Sequence, residues 1–278
     1  WQLCVADASD AAHAYVGEFF AAKKNVRYCK VANNGISANT NAAAQLAGGE
    51  YLALLDHDDV LAPHAVYEML KAARQTGAAF LYSDEALFET SIERPSAGHF
   101  KPDFAPDYLN CCNYICHFAM FQAGLFHAVG GLDSACDGAQ DHDLCLKLSE
   151  RCTPVHVPKV LYYWRVHAGS TSGGTAAKPY VTAAAKRAIA AHLARTGAEG
   201  TVQDGLFPST YKVDYTLAHT PLVSILIPNK DHTEDLDKAL LLGVEMTIRE
   251  MEEKKRVIHP KTIQARDYLR EQGITTED

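Results

Sequence analysis

The stretch Tyr51–Leu70, YLALLDHDDVLAPHAVYEML, decides the fold class. It begins with an apolar run of strand length, interrupts that run with the acidic tetrapeptide Asp56–Asp59, and continues with the apolar spacing of a helix. The same alternation of short apolar runs and helical spacing extends from Leu3 to Tyr82. It predicts an α/β domain with a mainly parallel central sheet flanked by helices.

The boundaries of the predicted elements follow from these periods. Strands are predicted at Leu3–Ala6, Val26–Cys29, Tyr51–Leu55 and Ala79–Tyr82, and an ordered segment of unassigned type at Phe118–Phe121. Helices are predicted at Ala11–Ala22, Ile36–Ala47, Pro63–Thr76, Ala123–Val129 and Pro179–Thr196. The leucines of Asp141–Arg151 are imperfectly spaced for a helix, so this segment stays open between helix and strand.

The composition bounds the class of protein. The 278 residues are 47% hydrophobic, enough for a sizeable core, and their formal net charge is −8 without a basic stripe, so nucleic acid is not an expected partner. The eight cysteines lack zinc-type spacing and are interpreted as reduced core residues of a cytoplasmic protein. No apolar run reaches the roughly 20 residues of a membrane span, although work at the inner face of the cell membrane stays open.

Three aspartates fall at the carboxyl ends of predicted strands. Asp7, Asp56 and Asp58 are expected to meet in one crevice, because ligands of parallel α/β sheets collect at that edge. Oxygen ligands in an Asp-x-Asp pattern suit Mg²⁺ or Mn²⁺ shared with a diphosphate. The alternative is that Asp58 or Asp59 caps the helix near Pro63. Three carboxylates in four residues exceed what a cap needs, so we favour the metal interpretation.

Two further clusters carry weaker signals. Asp141 or Asp143 at the start of a helix satisfies free N–H groups, or acts as a general base if it faces the crevice. Arg165 and His167 alternate with Trp164 on an extended segment. Both would then point to one side, where they could meet a diphosphate or the metal.

Taken in order, these segments resemble a family 2 glycosyltransferase of the GT-A fold. The resemblance covers Trp1 to Leu217 and is closest to the tandem-domain bacterial enzymes, often described as rhamnosyltransferases, that assemble O-antigen or other surface polysaccharide. The motifs that carry it are LCVADASD, NGISANTNAAAQLAGGEYLALLDHDDVL, LYSDEA, FKPDFAPDYL, NYICH, GGLD, GAQDHDLCLKL and VLYYWRVHAGST.

The resemblance implies an inverting, metal-dependent transfer of a hexose or rhamnose. The donor would be a UDP- or dTDP-sugar, the acceptor a hydroxyl of a saccharide or lipid-linked saccharide, and the ion Mn²⁺ or Mg²⁺. It implies these residue roles: Asp141 as catalytic base; Asp56 and Asp58 on the ribose and metal; Asp7 on the nucleotide base; Asp84 and Glu85 beside the sugar; Arg165 and His167 near the diphosphate or metal.

The chain departs from the family pattern at its start. No strand ending in a Pro-x-x-Asn type turn precedes Trp1, so the chain is expected to be a fragment. Residues 1–217 would be a catalytic domain without its usual first strand. Residues 218–245, with PLVSILIPNKDHTEDLDKAL, resemble the opening of a second glycosyltransferase domain, and residues 246–278 form a charged, helical tail.

A missing central strand would leave unpaired backbone groups in the middle of a sheet. We therefore expect Val223–Ile227 to fill the slot between Leu3–Ala6 and Tyr51–Leu55, within one chain or by exchange in a strand-swapped homodimer. The residues Pro228, Asn229 and Asp231 would then border the nucleotide site.

Two other functions stay open. A nucleotidyltransferase shares the acidic sheet edge but needs a basic phosphate-binding loop, which PNKDHTED does not provide. A fragment with an incomplete pocket could also bind a nucleotide-sugar without turnover.

Overall fold

The computed structural model describes residues 1–9, 15–21, 23–166, 179–219, 224, 226–228, 230–253 and 260–271. It divides into two compact units, Trp1–Ala218 and His219–Asp278. The predicted site residues His167 and Asn229 lie outside the described residues.

The first unit alternates strands and helices. Its strands are β1 (Leu3–Asp7), β2 (Val26–Lys30), β3 (Tyr51–Ala53), β4 (Val60–Leu61), β5 (Phe80–Phe88), β6 (Ala97–His99), β7 (Ala119–Gln122), β8 (Val155–Arg165), β9 (Gly200–Asp204) and β10 (Tyr211–Tyr215). Its helices are α1 (Tyr15–Ala21), α2 (Ile36–Gln45), α3 (Ala65–Thr76), α4 (Pro106–Cys111), α5 (Ala123–Ala128), α6 (Gln140–Ser149) and α7 (Pro179–Thr196).

The strands form a mixed central sheet. Its order is β3-β7-β5-β8-β4, with β6 beside β5, while β1 and β2 pair as a separate parallel ribbon. Within the large sheet, β5 and β8 are parallel, whereas the pairs β3–β7, β5–β7, β5–β6 and β4–β8 are antiparallel. The α/β class is therefore confirmed, but among the described strands parallel pairing does not dominate this sheet.

The reason for the mixed pairing is the position of β7. Both β3 and β5 run antiparallel to β7, so they are parallel to each other, as a crossover through α3 requires. Strand β7 comes from later in the chain and inserts between them. Strand alternation in the sequence predicts the crossover but not the inserted strand.

The predicted elements can be compared with these bounds. Segment 141–151, left open between helix and strand, is helical from Gln140 to Ser149. Helix α7 has the predicted bounds. Strand β5 continues six residues past the predicted end at Tyr82, and the β9–β10 hairpin was not predicted.

Strand β5 separates two hydrophobic clusters. Phe80 and Tyr82 belong to the cluster that also contains apolar residues of α6 and α7, whereas Leu81 belongs to the cluster that contains Met69 of α3. Alternate residues of a strand point to opposite faces of a sheet. The sheet is therefore covered by helices on both faces, as its apolar strands predict.

The cysteines differ in exposure. All eight are free thiols. Cys136 and Cys145 are buried, Cys111 is exposed, and the remaining five are half-buried. The prediction of unpaired cysteines is confirmed, but the interpretation of all eight as core residues is wrong.

The second unit contains helices α8 (Thr233–Glu253) and α9 (Pro260–Glu271). Helix α8 runs across the predicted boundary at residues 245 and 246. In the predicted strand Val223–Ile227, the described residues Ser224, Leu226 and Ile227 are not in a strand, and the other two lie outside the described residues. The insertion of this segment into the sheet stays a prediction. None of the described helices is both long and apolar enough to cross a membrane.

Two exposed glycines test the local backbone. Gly77 follows α3 with a φ of 70°, whereas Gly124 lies within α5, and a methyl group at either position meets nothing within 4 Å. Gly77→Ala should lower the free energy of unfolding by about 1 kcal/mol, because a left-handed backbone strains residues with a Cβ. The melting temperature should therefore fall.

Gly124→Ala is the matched variant. It should raise the melting temperature, because alanine favours helices over glycine by about 0.5–1 kcal/mol. Differential scanning fluorimetry shows the direction in which each melting temperature changes. An equal decrease in the melting temperature of both variants would contradict this account.

Candidate active site

The acidic loop, Asp56–Asp59, lies between β3 and β4 and is tied to β8. The Asp59 carboxylate accepts a hydrogen bond from the buried Tyr162 hydroxyl at 2.5 Å and one from the Arg165 backbone N–H at 2.7 Å. Helix α3 begins after His64 and has no side-chain cap. The alternative in which Asp58 or Asp59 caps this helix is therefore wrong.

Arg165, at the end of β8, holds the backbone of the same loop. Its Nε donates to the Asp58 carbonyl at 2.7 Å, and its guanidinium lies over the Phe88 ring, 4.4 Å from the centroid. The structure thus brings Arg165 and Asp58 together, as their predicted roles require. Contact of Arg165 with a diphosphate stays a prediction.

The first turn of α6 contains two aspartates with different surroundings. Buried Asp143 forms an ion pair with Lys147, with 2.7 Å between Nζ and Oδ2. The half-buried Asp141 carboxylate accepts the Cys116 thiol on Oδ2 at 3.0 Å and the His142 backbone N–H on Oδ1 at 2.9 Å. Asp143 is thus paired with a lysine of the same helix, whereas Asp141 is not.

Asp141 and the acidic loop act on each other electrostatically. The pKa of the Asp56 carboxyl is raised, first by loss of water around it, although the residue as a whole is exposed, and then by the charges of Asp59, Asp141 and Asp58. His117 opposes this rise. Asp56 and Asp141, far apart in sequence, therefore lie in one electrostatic environment.

Glu85 of β5 is a buried acceptor at the centre of a cationic network. Its Oε2 accepts the His117 backbone N–H at 2.6 Å and lies 3.0 Å from His117 Nδ1. Its other oxygen lies 3.1 Å from His99 Nδ1, and Lys101 Nζ is 3.4 Å from Oε2. Burial alone would raise the pKa of Glu85, but hydrogen bonds from the two histidines and the charge of Lys101 lower it below its usual range.

Lys101 is itself buried, with its side chain fully removed from solvent. Its ammonium donates to the carbonyl oxygens of Ile115, at 2.9 Å, and Cys116. Burial lowers the pKa of Lys101, and the charge of Glu85 opposes this. Lys101 therefore fixes the backbone that precedes His117.

His117 is a functional candidate that sequence reasoning missed. Its imidazole stacks on Tyr162, with centroids 5.4 Å apart, and lies 4.3 Å from the Trp164 ring. Burial would lower the pKa of His117, but Glu85, and then Asp56 and Asp141, raise it above its usual value. The motif NYICH contains this histidine, and that motif was the available signal.

Asp84 and Asp7 are held by other partners. Asp84 Oδ1 accepts the Lys101 backbone N–H at 2.9 Å and lies 2.8 Å from His156 Nε2. Asp7 Oδ2 accepts the Tyr28 hydroxyl at 2.6 Å and the Lys30 ammonium at 3.2 Å.

Hydrogen bonds from Ser9 and then Tyr28 lower the pKa of Asp7, and the bond to Asp7 raises the pKa of Tyr28 to about 12. The roles of Asp7 and Asp84 at a nucleotide or sugar, and the convergence of Asp7 with the acidic loop, stay predictions. Pro228 and Asp231 belong to the second unit and are exposed, and their role at a nucleotide site also stays a prediction.

The donor set of the acidic loop fits a hard divalent cation. Mg²⁺ commonly binds one or two carboxylates together with substrate phosphates. Asp56 and Asp58 could supply the carboxylates, and the donor diphosphate the phosphates. Among the described residues, a separate group, Asp133, Cys136 and Asp143, has ligand atoms within 4.8 Å of one another. Since Asp143 is already neutralised by Lys147, we assign no metal to that group.

The buried Lys101 makes a stability prediction. Lys101→Met should lower the free energy of unfolding by about 3–5 kcal/mol, because it leaves the Glu85 carboxylate buried with one cation fewer. Lys159→Met is the matched control: Lys159 pairs with Glu68 at 2.7 Å but its side chain is 47% exposed, so we expect a loss below about 1 kcal/mol. Chemical denaturation measures both, and equal losses would contradict the role of Lys101.

The chain is similar to known proteins in sequence and in fold. Residues 3–130 match the family described as glycosyl transferase family 2. The uncharacterized protein y4gI of Sinorhizobium fredii is 39% identical over 241 residues, which are 84% of this chain and 26% of that protein. The O-antigen biosynthesis protein RfbC of Myxococcus xanthus is 35% identical over 240 residues, 84% of this chain and 19% of that protein.

A solved structure has a similar fold. The crystal structure of Staphylococcus aureus TarS 1-349 in complex with UDP-GlcNAc has a TM-score of 0.55 at 15% identity, covering 69% of this chain and 57% of that one. The chain therefore spans 26% and 19% of the length of these two relatives and over half of this structure. Its matched region belongs to glycosyltransferase family 2, and its fold is GT-A.

Proposed function

We propose that this chain is an inverting glycosyltransferase. It would move a sugar from a nucleotide-diphosphate-sugar to an acceptor hydroxyl during synthesis of a bacterial surface polysaccharide such as O-antigen or capsule. The observation that carries the proposal is the chain of contacts between Asp141 and the acidic loop: Cys116 contacts Asp141, the adjacent His117 stacks on Tyr162, and Tyr162 donates to Asp59. A base and an anionic metal-binding loop around one site are what transfer from a sugar diphosphate requires.

The relatives support the proposed substrate class. The name of RfbC refers to O-antigen biosynthesis, and TarS was crystallised with UDP-GlcNAc. A UDP- or dTDP-sugar donor and a saccharide or lipid-linked saccharide acceptor agree with both. Transfer of rhamnose, and action at the cytoplasmic face of the cell membrane, belong to the same proposal.

In the proposed reaction Asp141 is the general base. Its carboxylate takes the proton of the acceptor hydroxyl while that oxygen bonds to the anomeric carbon, and the bond from that carbon to the diphosphate oxygen breaks. The nucleoside diphosphate leaves with the electron pair. Attack from the face opposite the leaving group inverts the anomeric configuration.

The cationic network complements this chemistry. Glu85 accepts a hydrogen bond from the His117 backbone and lies 3.0 Å from its Nδ1, so the ring is oriented before substrate binds. A protonated His117 would supply positive charge close to Asp56 and Asp141, where the donor's anionic groups are proposed to bind.

A divalent cation is part of the proposal. Mn²⁺ or Mg²⁺ bound at Asp56 and Asp58, with His167 as a further ligand, would neutralise the charge that grows on the leaving diphosphate. Arg165, which holds the Asp58 carbonyl, would keep the loop in place for this ion.

The assignment of Asp141 as the general base predicts a specific loss of activity. Asp141→Asn should lower transfer, or donor hydrolysis without acceptor, by at least about 100-fold, because an amide cannot accept the proton. Donor affinity should stay within about twofold. Asp107→Asn, at an exposed first-turn aspartate of α4, is the control and should leave both unchanged.

The assay is a screen of nucleotide-sugars with Mn²⁺, read by chromatography of the released nucleotide. Equal rates for the wild type and Asp141→Asn would remove Asp141 from the mechanism. Donor binding by a wild type that neither transfers nor hydrolyses any donor would favour a binding fragment instead.

The metal assignment predicts a change in donor binding. Asp58→Ala should remove the increase in donor affinity that Mn²⁺ produces, while affinity in EDTA stays near the wild-type value. Isothermal titration with and without Mn²⁺ measures this difference. Wild-type affinity that is the same in Mn²⁺ and in EDTA would count against metal-dependent binding.

A further inference from the structure

The Cys116 thiol lies against the carboxylate of the proposed base. Its Sγ is 3.0 Å from Asp141 Oδ2, and the side-chain amide of Asn113 donates to the same sulfur at 2.9 Å. Because Asn113 donates to the sulfur, the thiol proton is directed to an acceptor, and the charged Asp141 carboxylate is a stronger acceptor than the neutral Cys145 sulfur. The geometry describes a relay from Asn113 through Cys116 to Asp141.

The thiol keeps its proton in this setting. A hydrogen bond with Cys145, then burial and the charge of Asp141, raise the pKa of Cys116 well above its usual value. A thiolate, which cannot donate, is therefore disfavoured, and the protonated thiol is a donor at neutral pH.

The backbone that carries Cys116 is fixed on both sides. Lys101 binds the carbonyl oxygens of Ile115 and Cys116, and Glu85 accepts the backbone N–H of His117. The backbone of Cys116 is therefore held independently of Asp141, and Asn113 contacts the sulfur itself. A fixed donor limits rotation of the carboxylate that it contacts.

The contacts leave Asp141 able to work as a base. One donor reaches each carboxylate oxygen, the His142 N–H on Oδ1 and the thiol on Oδ2. Each oxygen has two lone pairs, so a further proton can still be accepted.

We propose that Cys116 is a positioning residue that orients the Asp141 carboxylate for deprotonation of the acceptor. This inference rests on the proposed glycosyl transfer. Cys116 acts through Asp141 and contributes no covalent step.

The proposal distinguishes two substitutions at one position. Cys116→Ala removes the donor and should lower kcat about tenfold while KM for the donor stays within about twofold, because a base that rotates freely is less often aligned. Cys116→Ser restores a hydroxyl donor and should bring kcat back to within about threefold of the wild type.

A matched thiol provides the control. Cys152 is half-buried and donates to the Leu148 carbonyl, with 3.6 Å between sulfur and oxygen, without contacting Asp141. Cys152→Ala should leave kcat unchanged. Melting temperatures of all three variants show whether a lower kcat reflects a smaller folded fraction.

The outcomes separate this inference from the proposed function. If the wild type is active and Asp141→Asn is not, but Cys116→Ala keeps wild-type kcat, the positioning role is wrong and the glycosyltransferase stands. A Cys116→Ser variant as slow as Cys116→Ala, with both fully folded, also overturns it. A wild type without transfer or hydrolysis removes the proposed function itself.

Discussion

The candidate site depends on a buried ion pair between Lys101 and Glu85. Burying either charge alone would be costly, so each stabilises the other where water cannot. The ammonium also binds two consecutive carbonyl oxygens, and the carboxylate binds the next backbone N–H. One ion pair thus fixes a segment whose side chains, Cys116 and His117, both reach the site.

This segment links elements that are far apart in the sequence. Cys116 contacts Asp141 on α6, whereas His117 contacts Glu85 on β5 and stacks on Tyr162 of β8. Tyr162 in turn binds Asp59. The position of the proposed base is therefore coupled to that of the acidic loop through a series of direct contacts.

Local patterns predicted part of this arrangement. The periods of the first 82 residues predicted most early strands and helices, and the acidic tetrapeptide pointed to a site at a strand end. The insertion of β7 between β3 and β5 depends on pairing between distant segments, which periodicity does not contain. Lys101 was missed for a similar reason. A lysine in a proline-containing segment is expected to be solvent-exposed, and its burial becomes clear only when its distant partners are known.

Asp56 and Asp59 of the acidic loop have different physical environments, which the sequence alone could not distinguish. Asp59 is stabilised within the protein by a hydroxyl and a backbone N–H. Loss of water around it, and then the neighbouring carboxylates, raise the pKa of Asp56, so its charged form is disfavoured. A divalent cation would reverse that balance by adding opposite charge beside it. The cost of charging Asp56 is therefore consistent with the cation that we propose at this loop, whereas Asp59 positions the loop through its two hydrogen bonds.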